Sequence, residues 1–123
     1  MLRALAAAIK QTIRAVDLAA RLGGDEFCLL LPRTTVAEAY PALERLTQAF
    51  DRTNPYPGVT LSGGVVQLGP GSFPAVAEIL ARADALMYRA KPLAHASGDH
   101  QFCLESGLVW TWPKLQASVP MAS

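Results

Sequence analysis

The 123-residue chain has little of the composition that reveals a function directly. It has two cysteines, Cys28 and Cys103, and two histidines, too few for a disulfide framework or a Cys/His metal cluster. The formal net charge is +1, which gives no electrostatic case for binding nucleic acid. No apolar run approaches the ~20 residues of a membrane-spanning helix. We therefore expect no nucleic-acid partner, no membrane span, and two free, largely buried thiols in a reducing cytoplasm.

The sequence does have enough apolar residues to form one folded domain. Hydrophobic residues make up 51% of the chain and charged residues 17%, which is not the composition of a disordered segment. Near the N-terminus, Lys10 and Arg14 interrupt a short apolar run, which favours an amphipathic helix over a signal peptide. His95 and His100 have no metal-ligand spacing with another residue, so we predict that both lie in surface loops.

Hydrophobic periodicity predicts alternating helices and strands. The predicted helices span about 2–14, 34–50 and 73–90, and the strands about 17–32 (as a hairpin), 59–68, 101–104 and 108–112. Thr35 and Glu38 form a capping-box pattern, and Pro41 predicts a kink or a late helix start. Residues 92–100 have no periodicity. This order predicts an α/β sandwich with a mostly antiparallel sheet.

Two adjacent glycines and two acidic residues form the most informative motif. Gly23 and Gly24 lie between apolar runs, where they predict a hairpin turn and allow close approach of a ligand to the backbone. Asp25 and Glu26 follow at once and point to opposite faces of the next strand. The motif alone is also compatible with a solvated turn in which both carboxylates are merely exposed.

Four motifs in order resemble those of the GGDEF family, the diguanylate cyclases, which join two GTP molecules into cyclic di-GMP. They are Arg14–Asp17, Arg21–Phe27, Val59–Val65 and Ala83–Lys91. The resemblance implies the palm-like fold of nucleotide cyclases, with a mostly antiparallel central sheet flanked by helices. It further implies that the family's first strand and helix are missing, because Met1 falls where the second helix begins. We expect a GGDEF domain over residues 1–104 and a C-terminal tail over 105–123.

The resemblance implies roles for five residues at the active site. Asp25 corresponds to a ligand of Mg²⁺ and, with Glu26, to the catalytic residues of the hairpin; Gly23 and Gly24 would lie against the substrate GTP. Lys91 corresponds to a lysine that contacts the triphosphate, although a solvated cation at a helix end is an equal alternative. The arginine that follows this lysine in the family is absent. His95 or, with an insertion, Asp99 stands in its place.

The resemblance also implies an inhibitory site that binds cyclic di-GMP away from the catalytic centre. Arg14 and Asp17 form its Arg-x-x-Asp motif, and Arg45 stands at the place of a further arginine. Arginine pairs with phosphate or stacks on guanine, and an aspartate accepts from the guanine edge. The alternative is that Arg14 and Asp17 pair with each other or with solvent.

Two functional hypotheses remain open from the sequence. One is a diguanylate cyclase whose activity, in the complete domain, needs a homodimer that brings two hairpins together, while the isolated chain is inactive. The other is a catalytically inactive module that binds cyclic di-GMP or another protein. Trp110 and Trp112 alternate along a predicted strand, and either seal the core or form an interface patch.

Overall fold

The computed structural model describes residues 2–71 and 73–115, which form three helices and five strands. The helices are α1 (Leu2–Thr12), α2 (Val36–Thr53) and α3 (Val76–Ser97). The strands are β1 (Leu18–Gly23), β2 (Glu26–Leu30), β3 (Ser62–Val65), β4 (His100–Leu104) and β5 (Val109–Trp112). These elements fall into two structural units: Gly58–Lys114 forms one, and the described residues on either side of it form the other. No helix in the described residues is both long and apolar enough to span a membrane.

The first unit consists of α1, the β1–β2 hairpin and α2. Helix α1 packs against α2 through small residues, Ala4 and Ala8, which are buried together with Ile9. Helix α2 contributes Leu43 and the fully buried Phe50 to the core. Its apolar residues recur at helical spacing, so that one face is buried while the opposite face stays in solvent.

Helix α2 begins at the predicted capping box. The Thr35 hydroxyl accepts from the Glu38 backbone N–H at 3.2 Å, and the Thr35 N–H donates to Glu38 Oε1 at 3.1 Å. The hydrogen bond from the Thr35 backbone lowers the pKa of Glu38. The helix passes through Pro41, so a helix start delayed to Pro41 is wrong.

The second unit consists of a three-stranded sheet covered by α3. Strand β3 pairs with β4 in parallel, and β4 pairs with β5 in antiparallel orientation. A Cβ atom at Gly64 would overlap the Ala83 carbonyl oxygen and lie 2.6 Å from Leu86 Cβ. Glycine is therefore required at this position for α3 to lie directly on β3. This is the close backbone approach that the glycine pair predicts.

Helix α3 continues beyond its predicted end. It passes through Pro92 and ends at Ser97, followed by Gly98 with a φ of 74°. Gly98 donates its N–H to the Ala94 carbonyl at 2.9 Å, closing the helix with a left-handed residue. Buried Ala90 and Ala94 extend the apolar stripe past the proline, which explains why the helix does not stop there. Lys91 consequently lies inside the helix and not at its end.

The two predicted surface histidines lie in regular structure. His95 is exposed, but it belongs to the last turn of α3. His100 is fully buried in β4, where its Nδ1 accepts from the Leu61 backbone N–H at 2.8 Å. The prediction of a surface loop is therefore wrong for His100, because the strand begins one residue before its predicted start at Gln101.

Strand β5 packs back on the second unit through aromatic residues. Trp112 is buried, with its ring centroid 5.5 Å from that of Phe102 in an edge-to-face arrangement. Trp110 is half-buried, and its ring centroid lies 5.9 Å from that of Trp112. The sequence left open whether the two tryptophans seal the core or form an interface patch; Trp112 lies in the core. Both cysteines are free; Cys28 is half-buried and Cys103 is buried.

The mixed α/β architecture predicted from the sequence is confirmed, but the strands form two sheets and not one central sheet. Strands β1 and β2 make an antiparallel pair, and β3, β4 and β5 make the second sheet. Among the described residues, no strand pairs with members of both sheets. The resemblance places the joining strand in an opening segment that precedes α1. The boundary at residue 104 between domain and tail stays a prediction.

Candidate functional site

The glycine motif forms the tip of the β1–β2 hairpin. Gly23 pairs with Glu26, so Gly24 and Asp25 form the turn between the strands. The register shifts between Arg21 and Gly23, as in a β-bulge. Gly23 has a φ of 138° and Gly24 a φ of 51°, values that residues with a Cβ atom rarely adopt. The hairpin predicted from the sequence is therefore confirmed, and its conformation requires both glycines.

The surroundings of this turn are open. A Cβ at Gly23 or Gly24 would meet no other atom within 4 Å, so neither glycine is needed for internal packing. Asp25 is exposed and Glu26 half-buried on the strand that follows. The tip thus offers accessible backbone and an accessible carboxylate to a ligand approaching from solvent.

Arg21 holds the hairpin tip, a role that the sequence reasoning missed. Its Nε and Nη2 both donate to the Gly24 carbonyl oxygen, at 3.0 Å and 2.6 Å. Two donors on one carbonyl fix the orientation of the peptide after Gly24 and place a positive charge beside the turn. An arginine just before two glycines was the available signal, but its partner depends on the bulged register.

The described residues provide only part of a shell for a metal ion. They contain no group of three or more His, Cys, Asp or Glu side chains placed to hold one. Asp25 and Glu26 supply carboxylates, which are ligands that Mg²⁺ prefers. The rest of an octahedral shell must then come from nucleotide phosphates, water or other residues.

Arg14 and Asp17 form a closely bonded pair between α1 and β1. Arg14 Nη2 donates to Asp17 Oδ1 at 2.8 Å, and Nε donates to Oδ2 at 3.1 Å. The Arg14 backbone N–H also donates to Oδ2, at 2.7 Å. The Asp17 side chain is 3% exposed, whereas that of Arg14 is 52% exposed. The pairing alternative is therefore observed, and it leaves half of the arginine side chain accessible.

This pairing controls the ionisation of both groups. Hydrogen bonds from the Arg14 side chain lower the pKa of Asp17, and they outweigh burial, which acts in the opposite direction. The same hydrogen bond raises the pKa of Arg14. Asp17 therefore stays ionised as pH falls to values at which an ordinary aspartate would be protonated.

The three residues of the predicted inhibitory site lie around one pocket. The pocket has a volume of about 200 Å³ in the first unit, and Arg14, Asp17 and Arg45 all line it. Thr34 and Glu38 contribute to the same wall, and apolar residues of α2 and β2 complete the floor. Arg45 is exposed on α2, so the pocket has two arginines accessible from solvent.

Lys91, the remaining predicted site residue, lies in the second unit. It is exposed on α3, and its Nζ lies 5.2 Å from the centroid of the Tyr88 ring. That distance is suited to a cation–π contact. One pocket therefore brings together three of the predicted site residues, Arg14, Asp17 and Arg45. Lys91 lies on α3, in the other unit.

A family model described as the diguanylate cyclase GGDEF domain matches residues 1–97. The chain belongs to the GGDEF family. This GGDEF chain is 43% identical over 61 residues to the probable diguanylate cyclase DgcJ of Escherichia coli, covering 50% of the chain and 12% of DgcJ. It is 38% identical over 88 residues to MucR of Pseudomonas aeruginosa, a bifunctional diguanylate cyclase/cyclic di-GMP phosphodiesterase, covering 68% and 13%.

The response regulator PleD of Caulobacter vibrioides is 34% identical to the GGDEF chain over 100 residues, covering 74% of the chain and 21% of PleD. The chain thus spans less than a quarter of each of these three relatives. No solved structure is significantly similar to it. The predicted family is confirmed, and with it a place in cyclic di-GMP signalling.

Proposed function

We propose that this GGDEF chain binds cyclic di-GMP in the pocket that Arg14, Asp17 and Arg45 line. The observation that supports the proposal is their convergence: Arg14 and Asp17, from the segment between α1 and β1, and Arg45, from the middle of α2, surround one cavity. The ligand carries two phosphates and two guanine bases. A pocket with two accessible arginines matches a dianion, and a guanidinium plane can also stack on a base.

The contacts within the pocket refine the roles of these residues. Because the Asp17 carboxylate is nearly inaccessible and fully engaged with Arg14, its first role is to orient the guanidinium. Arg14 and Arg45 are then the groups that meet the ligand. A cavity of about 200 Å³ is smaller than the ~300 Å³ and above that is typical of ligand sites. The cavity therefore accommodates one part of the dinucleotide, and the rest of the ligand lies outside it, against the exposed Arg14 and Arg45 side chains.

For a complete domain, we propose that the hairpin forms part of a diguanylate cyclase active site in a cytoplasmic homodimer. Gly23 and Gly24 lie against the substrate GTP, and Asp25 ligates Mg²⁺, which neutralises charge on the phosphates. Glu26 acts beside Asp25 as the second catalytic carboxylate of the hairpin. Lys91 contacts the triphosphate as an exposed cation on α3.

The alternative proposal is a catalytically inactive module for binding cyclic di-GMP or a protein partner. The incomplete metal shell among the described residues favours it for the isolated chain. Phosphoryl transfer depends almost entirely on positioning and charge stabilisation, so a partial site does not retain a proportional share of the activity. We therefore expect the isolated chain to form no cyclic di-GMP from GTP and Mg²⁺.

Calorimetric titration of the purified chain with cyclic di-GMP tests the proposed binding. We expect saturable binding by the wild type and at least about tenfold weaker binding by Arg45→Ala, since a charge-assisted contact contributes about 1.5–3 kcal/mol. Arg52→Ala is the matched control, because Arg52 is also exposed on α2 but does not line the pocket. Equal loss of affinity in both variants would refute the assignment of the site. A parallel titration with Mg²⁺ and GTP, followed by chromatography of the products, tests for catalysis.

A further inference from the structure

The loop between β2 and α2 also makes hydrogen bonds to Arg14. Arg14 Nη2 donates to the Thr34 hydroxyl at 2.9 Å and to the Pro32 carbonyl oxygen at 3.0 Å. The Thr34 hydroxyl in turn donates to the same Pro32 carbonyl, also at 3.0 Å. One end of the guanidinium is therefore enclosed by the Asp17 carboxylate and by a carbonyl and a hydroxyl of this loop.

The backbone of this loop has an uncommon conformation. Arg33, between the two residues that accept from Arg14, has a φ of 54°. Residues other than glycine seldom adopt a positive φ, and such a conformation persists only where surrounding contacts favour it. Here it turns the chain sharply enough for the carbonyl of Pro32 and the hydroxyl of Thr34 to reach the same nitrogen.

These contacts determine which part of Arg14 faces a ligand. Nε and Nη2 are engaged by Asp17 and by the loop, so the fork formed by these two nitrogens is occupied. The hydrogen bonds that the Arg14 side chain donates to the described residues come from Nε and Nη2. Half of the side chain is exposed. The accessible part of Arg14 is thus one terminal nitrogen and the guanidinium plane.

We propose that Thr34 is a positioning residue for cyclic di-GMP, holding the Arg14 guanidinium so that Nη1 and the guanidinium plane face the ligand. This inference rests on the proposed function of the pocket. Asp17 fixes one edge of the guanidinium, and the Thr34 hydroxyl fixes its rotation about that edge. A group held in its binding orientation before the ligand arrives loses less freedom on binding, which increases affinity.

The test compares Thr34→Val, which removes the hydroxyl at nearly constant shape, with Thr34→Ser, which retains it. Thr53→Val is the control, because the Thr53 hydroxyl donates to the carbonyls of Ala49 and Phe50 in its own helix. Each variant of the 123-residue chain is titrated with cyclic di-GMP in a calorimeter. The Nε–Hε signal of Arg14, identified by its loss in Arg14→Ala, is recorded by NMR without ligand, and thermal melting verifies folding.

We expect Thr34→Val to weaken binding about fivefold and to shift or broaden the Arg14 signal, while Thr34→Ser and Thr53→Val resemble the wild type. Unchanged affinity in Thr34→Val overturns the inference, whether or not the Arg14 signal moves. Equal weakening in Thr34→Ser also overturns it, since the hydroxyl is then irrelevant. Failure of the proposed function differs from these results: the wild type itself then binds no cyclic di-GMP, and both proposals fall.

Discussion

At the scale of single residues, the Arg14–Asp17 pair joins stability to the candidate ligand site. A nearly inaccessible carboxylate orients a half-exposed arginine, so the ion pair in the segment between α1 and β1 also prepares the pocket. The motif predicts these residues from the sequence and leaves open whether they bind a ligand or pair with each other; the structure shows that they pair. Thr34 and Arg21 were missed because their contacts depend on a positive φ at Arg33 and on a bulge beside Gly23.

The ionisation of Asp17 predicts a pH dependence of stability. Its pKa is lowered on folding from an ordinary value of 3.8, so its stabilising contribution is fully present above that value. The contribution is lost as pH falls through the lowered pKa of the folded state, where the native carboxylate also becomes protonated.

Asp17→Asn should accordingly be less stable than the wild type at pH 7, by about 1 kcal/mol given the solvent exposure of Arg14. The difference should shrink as pH falls below 3.8 and through the lowered pKa of the folded state. Urea unfolding of both proteins between pH 7 and pH 2 measures it, with Asp84→Asn, an exposed position on α3, as the control. A difference that stays constant down to pH 2 would show that Asp17 does not contribute through its charge.

At the scale of elements, the sequence predicts the features that depend on neighbouring residues, but not those that depend on packing between distant segments. The hairpin and the capping box depend on residues within a few positions of one another, and both are observed. Helix α3 continues through Pro92 because Ala90 and Ala94, on either side of the proline, are both buried in the core of the second unit. A proline near the end of a pattern is a reasonable stop signal, but tertiary packing outweighs it here.

The packing of α3 on β3 predicts unequal effects for two neighbouring glycines. A methyl group at Gly64 would overlap the Ala83 carbonyl, which belongs to a helix backbone and cannot rotate away. A methyl group at Gly63 would instead meet the Phe102 ring, with Cε1 at 2.5 Å, and a side chain can adjust. Gly64→Ala should therefore lower the free energy of unfolding by about 3 kcal/mol and Gly63→Ala by about 1 kcal/mol.

Urea unfolding followed by tryptophan fluorescence measures both changes, since Trp110 and Trp112 lie in the same unit as the glycines. The two variants are matched controls for each other, because both add one methyl group to the same strand. An equal effect, or a larger one for Gly63→Ala, would contradict direct contact of α3 with the backbone of β3.

At the scale of the whole molecule, the described residues form two structural units, each with its own sheet; the first contains α1 and α2, and the second contains α3. The family and its mixed α/β architecture were predicted from four short motifs. The division of the strands into two sheets was not predicted, because the partner of each strand depends on which other segments are present to pair with it. The pocket proposed to bind cyclic di-GMP lies in the first unit, and Lys91 lies in the second. The residues proposed to bind cyclic di-GMP therefore all lie in the first unit.

The most direct test of the central claim is a map of amide chemical shifts of the isotope-labelled chain during titration with cyclic di-GMP. We predict that the largest changes occur around the pocket, at Arg14, Asp17, Thr34 and Arg45, and that they saturate together. The signals of Lys91 and its neighbours on α3 should change little. Saturable changes centred on the Gly23–Phe27 hairpin, or on α3, with the pocket signals unmoved, would contradict the assignment of the cyclic di-GMP site.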